Sequence, residues 1–509
     1  MLIGQGVQPG APGVYVEIVP APPQINGVPT NLLGIVGIAS WGPVNMPNII
    51  GSAAEMVDTY GPVLNAIHDL GTAVTIAMMQ GANAIFGVRV TDGTDTKASV
   101  ELMDTATTPA EGALLTALYS GTVGNAITAA ITSGVQTGTY VLTITRPGVL
   151  TEVFSNISGT GSAFWQNLVN AVNQGQGVTR GPSQLVVASL PATQSTSAPN
   201  VTTTYTLAGG TNGTSSVSDT TLLGAAGPPR TGMYALARTG CQVAMLADVT
   251  TSSTWTDQVS FGLQEGIYMI GAGAAGQWSS IANAVSAKNT AGVGSHAFKL
   301  LLGDWVYWYD QTNQIQRLVS PQAFSAGLLV SLNPSQASLN KQVYGVIATQ
   351  SSINGYRYSY ADLEQLTQNG IDLICNPIPA GNAFGVRLGV NTSFSAVNMF
   401  DNYTRMTNFL AATFNKGTGI FNGQVQTPTL WAEVETTFDD FLANLKDQGL
   451  IEAYQVTVNQ TNNPQSQQAL GFMNIQVSVT YFGIAAYVTV ALNGGTSVVI
   501  SQSTLGQAA

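Results

Sequence analysis

The sequence predicts a multidomain protein of mixed α/β (α+β) class: an α/β core carrying an inserted β-rich domain, with extended arms at both ends. Three observations predict it. Strand-like and helix-like runs alternate over residues 34–90 and again over 230–387, the rhythm of a sheet covered by helices. Between 91 and 227 the chain becomes rich in Thr, Gly and Ser, with short period-two runs that fit strands. From 427 a long amphipathic pattern leads into further period-two runs. The expected divisions are therefore an N-terminal arm (1–23), core segments 24–90 and 228–426 flanking an insertion (91–227), a C-terminal helix-plus-strand domain (427–483), and a terminal strand and arm (484–509).

Each element has a local reason. In the arm, Val14, Tyr15 and Val16 form one strand-like run bracketed by Pro12 and Pro20, with too little apolar surface to fold alone. The first core segment reads as a strand at 35–36, helices at 53–60 and 64–80, and a strand at 84–90. Alternation at 140–145 and 152–154 gives the insertion its strands, and one helix interrupts it at 163–173. The second core segment reads as strand 243–246, helix 254–265, strand 267–270, helix 278–288 and strand 298–302. A hairpin at 305–319 turns at residues 310–313, and helices follow at 321–332 and 361–369.

The last domain has the strongest signal. Thr427 supplies an N-cap hydroxyl and Pro428 suits the first helical position. Leu430, Trp431, Val434, Phe438, Phe441, Leu442 and Leu445 make a broad apolar stripe, and Gly449 is placed to end the helix. At 1.5 Å per residue the helix measures roughly 30 Å. Glu433, Glu435, Asp439 and Asp440 lie off the stripe. Strands are expected at 454–458 and 475–481 around a turn at 459–464, with a last strand at 487–492 built on Tyr487, Val488, Val490 and Leu492.

This C-terminal order resembles that of contractile tail sheath proteins, the family of contractile bacteriophage tails and phage-tail-like particles. It runs from a helix with Leu-Trp near its start and Phe-Leu near its end, through Gly449-Leu450-Ile451 and a Val-Thr strand, to Asn462-Asn463 and a final strand pair. The opening is similar too: Pro12-Gly13-Val14-Tyr15-Val16-Glu17, Gly34-Ile35-Val36-Gly37 and Trp41-Gly42-Pro43-Val44-Asn45. Gly121-Thr122-Val123-Gly124-Asn125, Leu207-Ala208-Gly209-Gly210 and Arg230-Thr231-Gly232 extend the resemblance through the middle. It implies a structural subunit that polymerises helically around an inner tail tube and contracts to drive the tube through a cell envelope. It further implies baseplate and tail terminator partners, a place in the virion tail, and assembly in the host bacterial cytoplasm. Neighbouring subunits would be tied by terminal arms adding strands to one another's sheets, which assigns interface roles to Val14, Tyr15, Val16 and Glu17 and to Tyr487, Val488, Val490 and Leu492. The acidic residues Glu433, Glu435, Asp439 and Asp440 become a tube-facing side of the long helix, against the plainer reading of a solvated face.

Composition agrees with a protein that works covered by neighbours. Charged residues are 8% of 509, against roughly 25% in ordinary soluble chains, and charge is what usually keeps monomers apart. A net charge of −11 with only 15 Lys and Arg argues against nucleic acid as a partner. No apolar run approaches the ~20 residues of a membrane helix. Cys241 and Cys375 lack metal-ligand spacing and are expected to be buried and reduced. No cofactor is expected. An extracellular β-rich adhesin or surface-layer subunit shares the composition, but should carry an export signal, and the first residues do not read as one.

A third class, a dinucleotide-binding enzyme, rests on Gly271, Gly273 and Gly276 as G-x-G-x-x-G, with Asp304 as the ribose acid. With 56 glycines in the chain a tight strand-to-helix turn is the simpler reading. His68 reads as a partly exposed helical side chain beside Asp69 rather than a base, His296 has no visible metal co-ligand set, and no G-x-S-x-G elbow is found. The pair Asp439 and Asp440 is no dyad, because adjacent helical positions diverge.

Overall fold

The computed structural model describes residues 2–3, 16–17, 24–178, 180–494 and 498–501. The chain forms two compact units, Pro29–Arg405 and, joined from both ends of the sequence, Met1–Val28 with Met406–Ala509.

The larger unit is built on a seven-stranded sheet in the order Ile371–Asp372, Phe298–Leu301, Tyr268–Ala272, Val243–Leu246, Leu32–Gly37, Ala84–Arg89, Asn48–Ile50. All neighbours are parallel except the edge strand Asn48–Ile50. Strands Val243–Leu246, Tyr268–Ala272 and Phe298–Leu301 are buried at every residue. That is why they read as continuous apolar runs rather than alternation. Helices Leu70–Met79 and Gln322–Ser331 lie against the sheet and against each other. Their close approach depends on Gly327, where a Cβ would stand 2.6 Å from the carbonyl oxygen of Ala77.

A second hydrophobic core in the same unit belongs to the β-rich stretch. A four-stranded antiparallel sheet runs Leu150–Ser158, Thr139–Arg146, Thr128–Ser133, Thr204–Thr206, and a three-stranded one runs Val186–Ser189, Glu111–Ala117, Ser99–Met103. Helix Ser162–Gln174 packs on both, burying Phe164, Trp165, Leu168 and Val172. Trp41 joins this core. Arg146 stacks over the Trp41 ring at 5.5 Å and donates to the carbonyls of Val57 and Asp58, closing the end of helix Ala53–Tyr60.

Several core positions are charged. Lys299, fully buried on a central strand, donates to Asp372 at 2.6 Å and to Asp401 at 3.1 Å. At least five of the fifteen basic residues, Arg89, Arg146, Lys288, Lys299 and Arg405, are buried. The exposed surface therefore carries even less positive charge than the composition implies.

The smaller unit is organised by helices Asp401–Gly417, most of which lies in it, and Pro428–Asp447. Phe409, Leu410, Leu442 and Ile451 form one cluster, while Ile25, Phe421, Trp431, Val434 and Phe438 form another. Antiparallel strands Ala453–Thr457 and Gln476–Thr480 complete it.

Some local expectations are corrected. The helix expected at 64–80 starts at Leu70, because the Asp69 carboxylate accepts from the Thr72 amide at 2.7 Å as N-cap. His68 therefore precedes the helix, in the left-handed region at φ 64°, with Nδ1 2.7 Å from the Ala247 carbonyl. The strand expected at 487–492 is irregular through Val490, and pairing begins only at Ala491–Gly494 against Val498–Ser501. A period-two pattern becomes a strand only where a backbone partner exists, and residues 483–490 belong to no strand among the described residues.

Candidate functional site

The chemistry of the smaller unit begins with its long helix. Thr427 accepts from the Leu430 amide at 3.1 Å and Pro428 opens the first turn. Leu430, Trp431, Val434, Phe438, Leu442 and Leu445 are buried, as the stripe predicts. Glu433, Asp439 and Asp440 are exposed and Glu435 is half-buried, so these four sit on the outer side of the helix. Tyr454 lies beside them. Partial burial and then the carboxylates of Asp439, Asp447 and Asp440 push its phenol above the ordinary value.

The two strands beside this helix pair only with each other among the described residues, in register Ala453↔Thr480 to Thr457↔Gln476. The connection between them is held by asparagines. Asn463 is fully buried, accepts from the Asn474 amide at 2.5 Å and donates to the carbonyls of Asn459 and Asn474. This network fixes the ends of the pair, and among the described residues both outer strand edges are unpaired. An open edge is a row of backbone donors and acceptors that can template a further strand.

Of the arm residues, Val14 and Tyr15 lie outside the described residues. Val16–Glu17 forms a short parallel pair with Leu2–Ile3 of the same chain. Tyr487, Val488, Val490 and Leu492 are 66%, 80%, 73% and 64% exposed. A run of large apolar side chains standing in solvent is uncommon in a finished monomer surface.

The glycine motif resolves as a turn closed by its own neighbours. At Gly273 a Cβ would fall 1.8 Å from Gln277 Oε1 and 3.1 Å from the Gly303 amide. Trp305 Nε1 donates to the Gly273 carbonyl and the Gly276 amide donates to Gln350 Oε1. A 3-10 turn, Gln277–Ser279, follows, and the α-helix starts at Ile281. Asp304 is buried and accepts from the Ser351 amide and from the hydroxyls of Ser351 and Tyr358. The groups a pyrophosphate and ribose would need are thus already engaged. Gly273→Ala is expected to lower stability by about 1–3 kcal/mol through overpacking, measured by denaturant unfolding. The loss should be the same with or without added dinucleotide; a dinucleotide-dependent difference would return this turn to the nucleotide reading.

The cysteines are buried and free, with both thiols pushed up to about 12 by burial. Among the described residues no helix is long and apolar enough to cross a membrane.

No family model matches the chain, and no curated protein does. Solved structures do. A sheath tail protein from Listeria innocua superposes with a TM-score of 0.60 at 16% identity, over 86% of this chain and 90% of that one. A sheath tail protein from Desulfitobacterium hafniense gives 0.57 at 15% identity, over 88% and 94%. The sheath of an extracellular contractile injection system in its contracted state gives 0.55 at 11% identity, over 96% and 99%. The chain has the fold of sheath tail proteins.

Proposed function

We propose that this chain is the sheath subunit of a contractile tail or tail-like injection device. Copies polymerise helically around an inner tail tube, and contraction drives that tube through a cell envelope. The role is structural rather than enzymatic. The observation that carries the reading is the two-stranded sheet Ala453–Thr457 with Gln476–Thr480, whose outer edges have no partner among the described residues. A two-stranded ribbon is marginal alone, and strand addition from neighbours satisfies it. Residues 14–17 and 487–492 are the proposed donor segments. Each added hydrogen bond nets about 0.5–1.5 kcal/mol, so a single arm is weak, but arms repeated through a lattice act almost intramolecularly. Glu433, Glu435, Asp439 and Asp440 face the tube protein, whose surface would be complementary in charge. Baseplate and tail terminator proteins close the ends. The particle is a virion tail or its phage-tail-like equivalent, assembled in the bacterial cytoplasm.

Negative-stain microscopy of the purified chain tests the assembly: tubes or rings are expected, and separate globules at every concentration would overturn it. Deleting residues 1–19 should abolish tubes while leaving the main unfolding transition almost unmoved. Normal tubes after the deletion would remove the N-terminal arm from the linkage. Reversing Asp439 and Asp440 to Lys should weaken co-assembly with the tube protein without unfolding the chain, and unchanged co-assembly would make this a solvated face.

A further inference from the structure

Where the β-rich stretch of the larger unit returns to the parallel sheet, charged groups gather around His68. Its backbone is fixed from both sides at the carboxyl end of the sheet. The His68 amide donates to Asp248 Oδ2 at 3.0 Å, and its carbonyl accepts from the Ile38 amide at 2.8 Å. These bonds hold it at φ 64°, a left-handed conformation uncommon for a non-glycine residue, and so aim the ring. Nδ1 stands 2.7 Å from the Ala247 carbonyl oxygen, and Nε2 stands 3.6 Å from Asp219 Oδ1. The His68 and Asp219 side chains are only 13% and 16% exposed.

Both ring nitrogens therefore face oxygens that only accept. A carbonyl cannot donate, so the Nδ1 contact requires a proton on Nδ1. In the neutral ring Nε2 is then a bare lone pair directed at a carboxylate, and that contact is repulsive. Only the imidazolium supplies a donor to each side. Protonation turns the Asp219 contact into a charge-assisted hydrogen bond, which closes to roughly 2.7–2.9 Å when made.

Asp219 lies where the chain re-enters the core. It opens the short helix Asp219–Leu223, and its Oδ2 accepts from the amides of Thr250 at 3.0 Å and Thr251 at 2.8 Å. The segment just ahead is tied separately. Asp92 accepts from the Ser216 amide at 2.9 Å, and the Thr94 hydroxyl with the Ser216 and Thr94 amides holds the Asp92 carboxyl down to about 2. That tie is constant near neutral pH.

The other charged groups around His68 are Asp248, Asp69, Arg317 and Asp310. Burial pushes the Asp248 carboxyl up, against the His68 amide and ring. Burial also pushes Asp69 up to about 7, against its bonds from Thr72 and Leu64. Arg317 is committed to Asp310 at 2.8 Å and to the carbonyls of Leu64 and Ala66. Among the described residues no cation other than His68 pairs with Asp219.

We propose that His68 is a proton-operated clasp on this junction: the protonated ring binds Asp219 and fixes residues 218–224 to the carboxyl edge of the sheet, and the neutral ring releases them. Imidazoles ordinarily titrate at about 6.5, so mild acid tightens the return of the β-rich stretch and mild alkali loosens it. The sign follows from linkage: a group that gains a partner on protonation adds stability at low pH and loses it as the proton leaves.

The test is amide hydrogen exchange of the full chain, read by mass spectrometry at pH 5.5 and 8.0 and corrected for the intrinsic rate. Protection across 218–224 is expected to be about fivefold higher at the lower pH, the size of one partly screened charge-assisted contact. Protection across 211–216, held through Asp92, should stay level. Asp219→Asn puts an amide beside the ring that donates to the neutral Nε2, so the rise on acidification should disappear. His68→Asn, which suits the left-handed backbone, should abolish it as well. Equal protection at the two pH values in the native chain would overturn the proposal. A pH dependence of 218–224 that survives both substitutions would belong to Asp69, which both variants retain, and would overturn it too. Should His68→Asn disturb the fold, seen as lost protection in strand Val243–Leu246, Asp219→Asn decides alone: persistence of the pH dependence refutes the clasp, and its loss upholds it.

Discussion

Lys299→Met is expected to destabilise the larger unit by about 3–5 kcal/mol, because it leaves two buried carboxylates without their counter-charge. Lys299 is fully buried and its ammonium reaches Asp372, Asp401, the Val390 carbonyl and, at 3.4 Å, Ser338. Asp401 also accepts from the Tyr268 hydroxyl at 2.6 Å and from the Ser338 amide at 3.1 Å. Asp372 accepts from the amides of Leu388 and Gly389. The cluster therefore ties the sheet edge to the start of helix Asp401–Gly417. Removing all three charges together, with Asn at both aspartates and Met at 299, should recover much of the loss, since a neutral set has no desolvated ion to compensate.

The pH dependence separates this account from a simple packing defect. Burial alone would raise the Asp401 carboxyl, but Lys299 and the hydroxyls of Ser338 and Tyr268 override it and hold it below the usual range. A depressed carboxyl contributes stability above its unfolded value of about 4 and loses it as pH falls through the folded one. Burial likewise would lower Lys299, but Asp372 and Asp401 raise it. That contribution is complete below about 10 and is lost as pH rises through the folded value. The native protein should thus hold a plateau between these limits. In Lys299→Met only the Ser338 and Tyr268 hydroxyls still oppose the burial effect on Asp401, so the penalty should be small near pH 4 and largest at neutral pH. Urea unfolding at pH 4, 7 and 9 measures it, and a penalty independent of pH would reduce the cluster to packing.

Much of the fold could be read before any coordinates because its elements announce themselves locally. The helix read at 427–448 is Pro428–Asp447, and that read at 53–60 is Ala53–Tyr60. Strand 84–90 is Ala84–Arg89, where a buried run carries its own period. Helix Asp401–Gly417 was not read, although Met406, Phe409, Leu410 and Phe414 recur at helical spacing. Its intervening Asn and Thr residues have poor helix propensity, and tertiary burial against the long helix decides the matter. The charged cluster was illegible for another reason. Lys299, Asp372 and Asp401 are far apart in sequence, and only the topology of the parallel sheet brings them together. The open edges around strand Gln476–Thr480 were legible as strands, not as edges, since pairing is a property of the assembled sheet. Tyr487 to Val490 shows the converse: the pattern says strand, and no ladder pairs with it among the described residues.

Phe438→Ala is expected to cost the smaller unit about 3–5 kcal/mol, the range for deleting a packed aromatic ring. Phe438 is 2% exposed and its ring meets Phe414 at 4.9 Å between centroids. It shares a cluster with Ile25, Trp431, Val434 and Val458. That cluster connects the long helix to Asp401–Gly417 and to the chain just after strand Ala453–Thr457, so the cavity cannot collapse without moving the sheet. Asp440→Ala, two residues away and exposed, should stay within about 0.5 kcal/mol, which isolates burial from any general sensitivity of the helix. Because the two-stranded sheet has no support from other strands among the described residues, its amides should lose protection first. Hydrogen exchange in Phe438→Ala is therefore expected to accelerate across 453–457 and 476–480 while strands Val243–Leu246 and Tyr268–Ala272 keep their protection. Tube formation should fail in the variant even where the larger unit remains folded, because an edge that is not held in place cannot template an added strand. Protected amides at 453–457 together with lost tubes would place the assembly defect elsewhere than in this sheet.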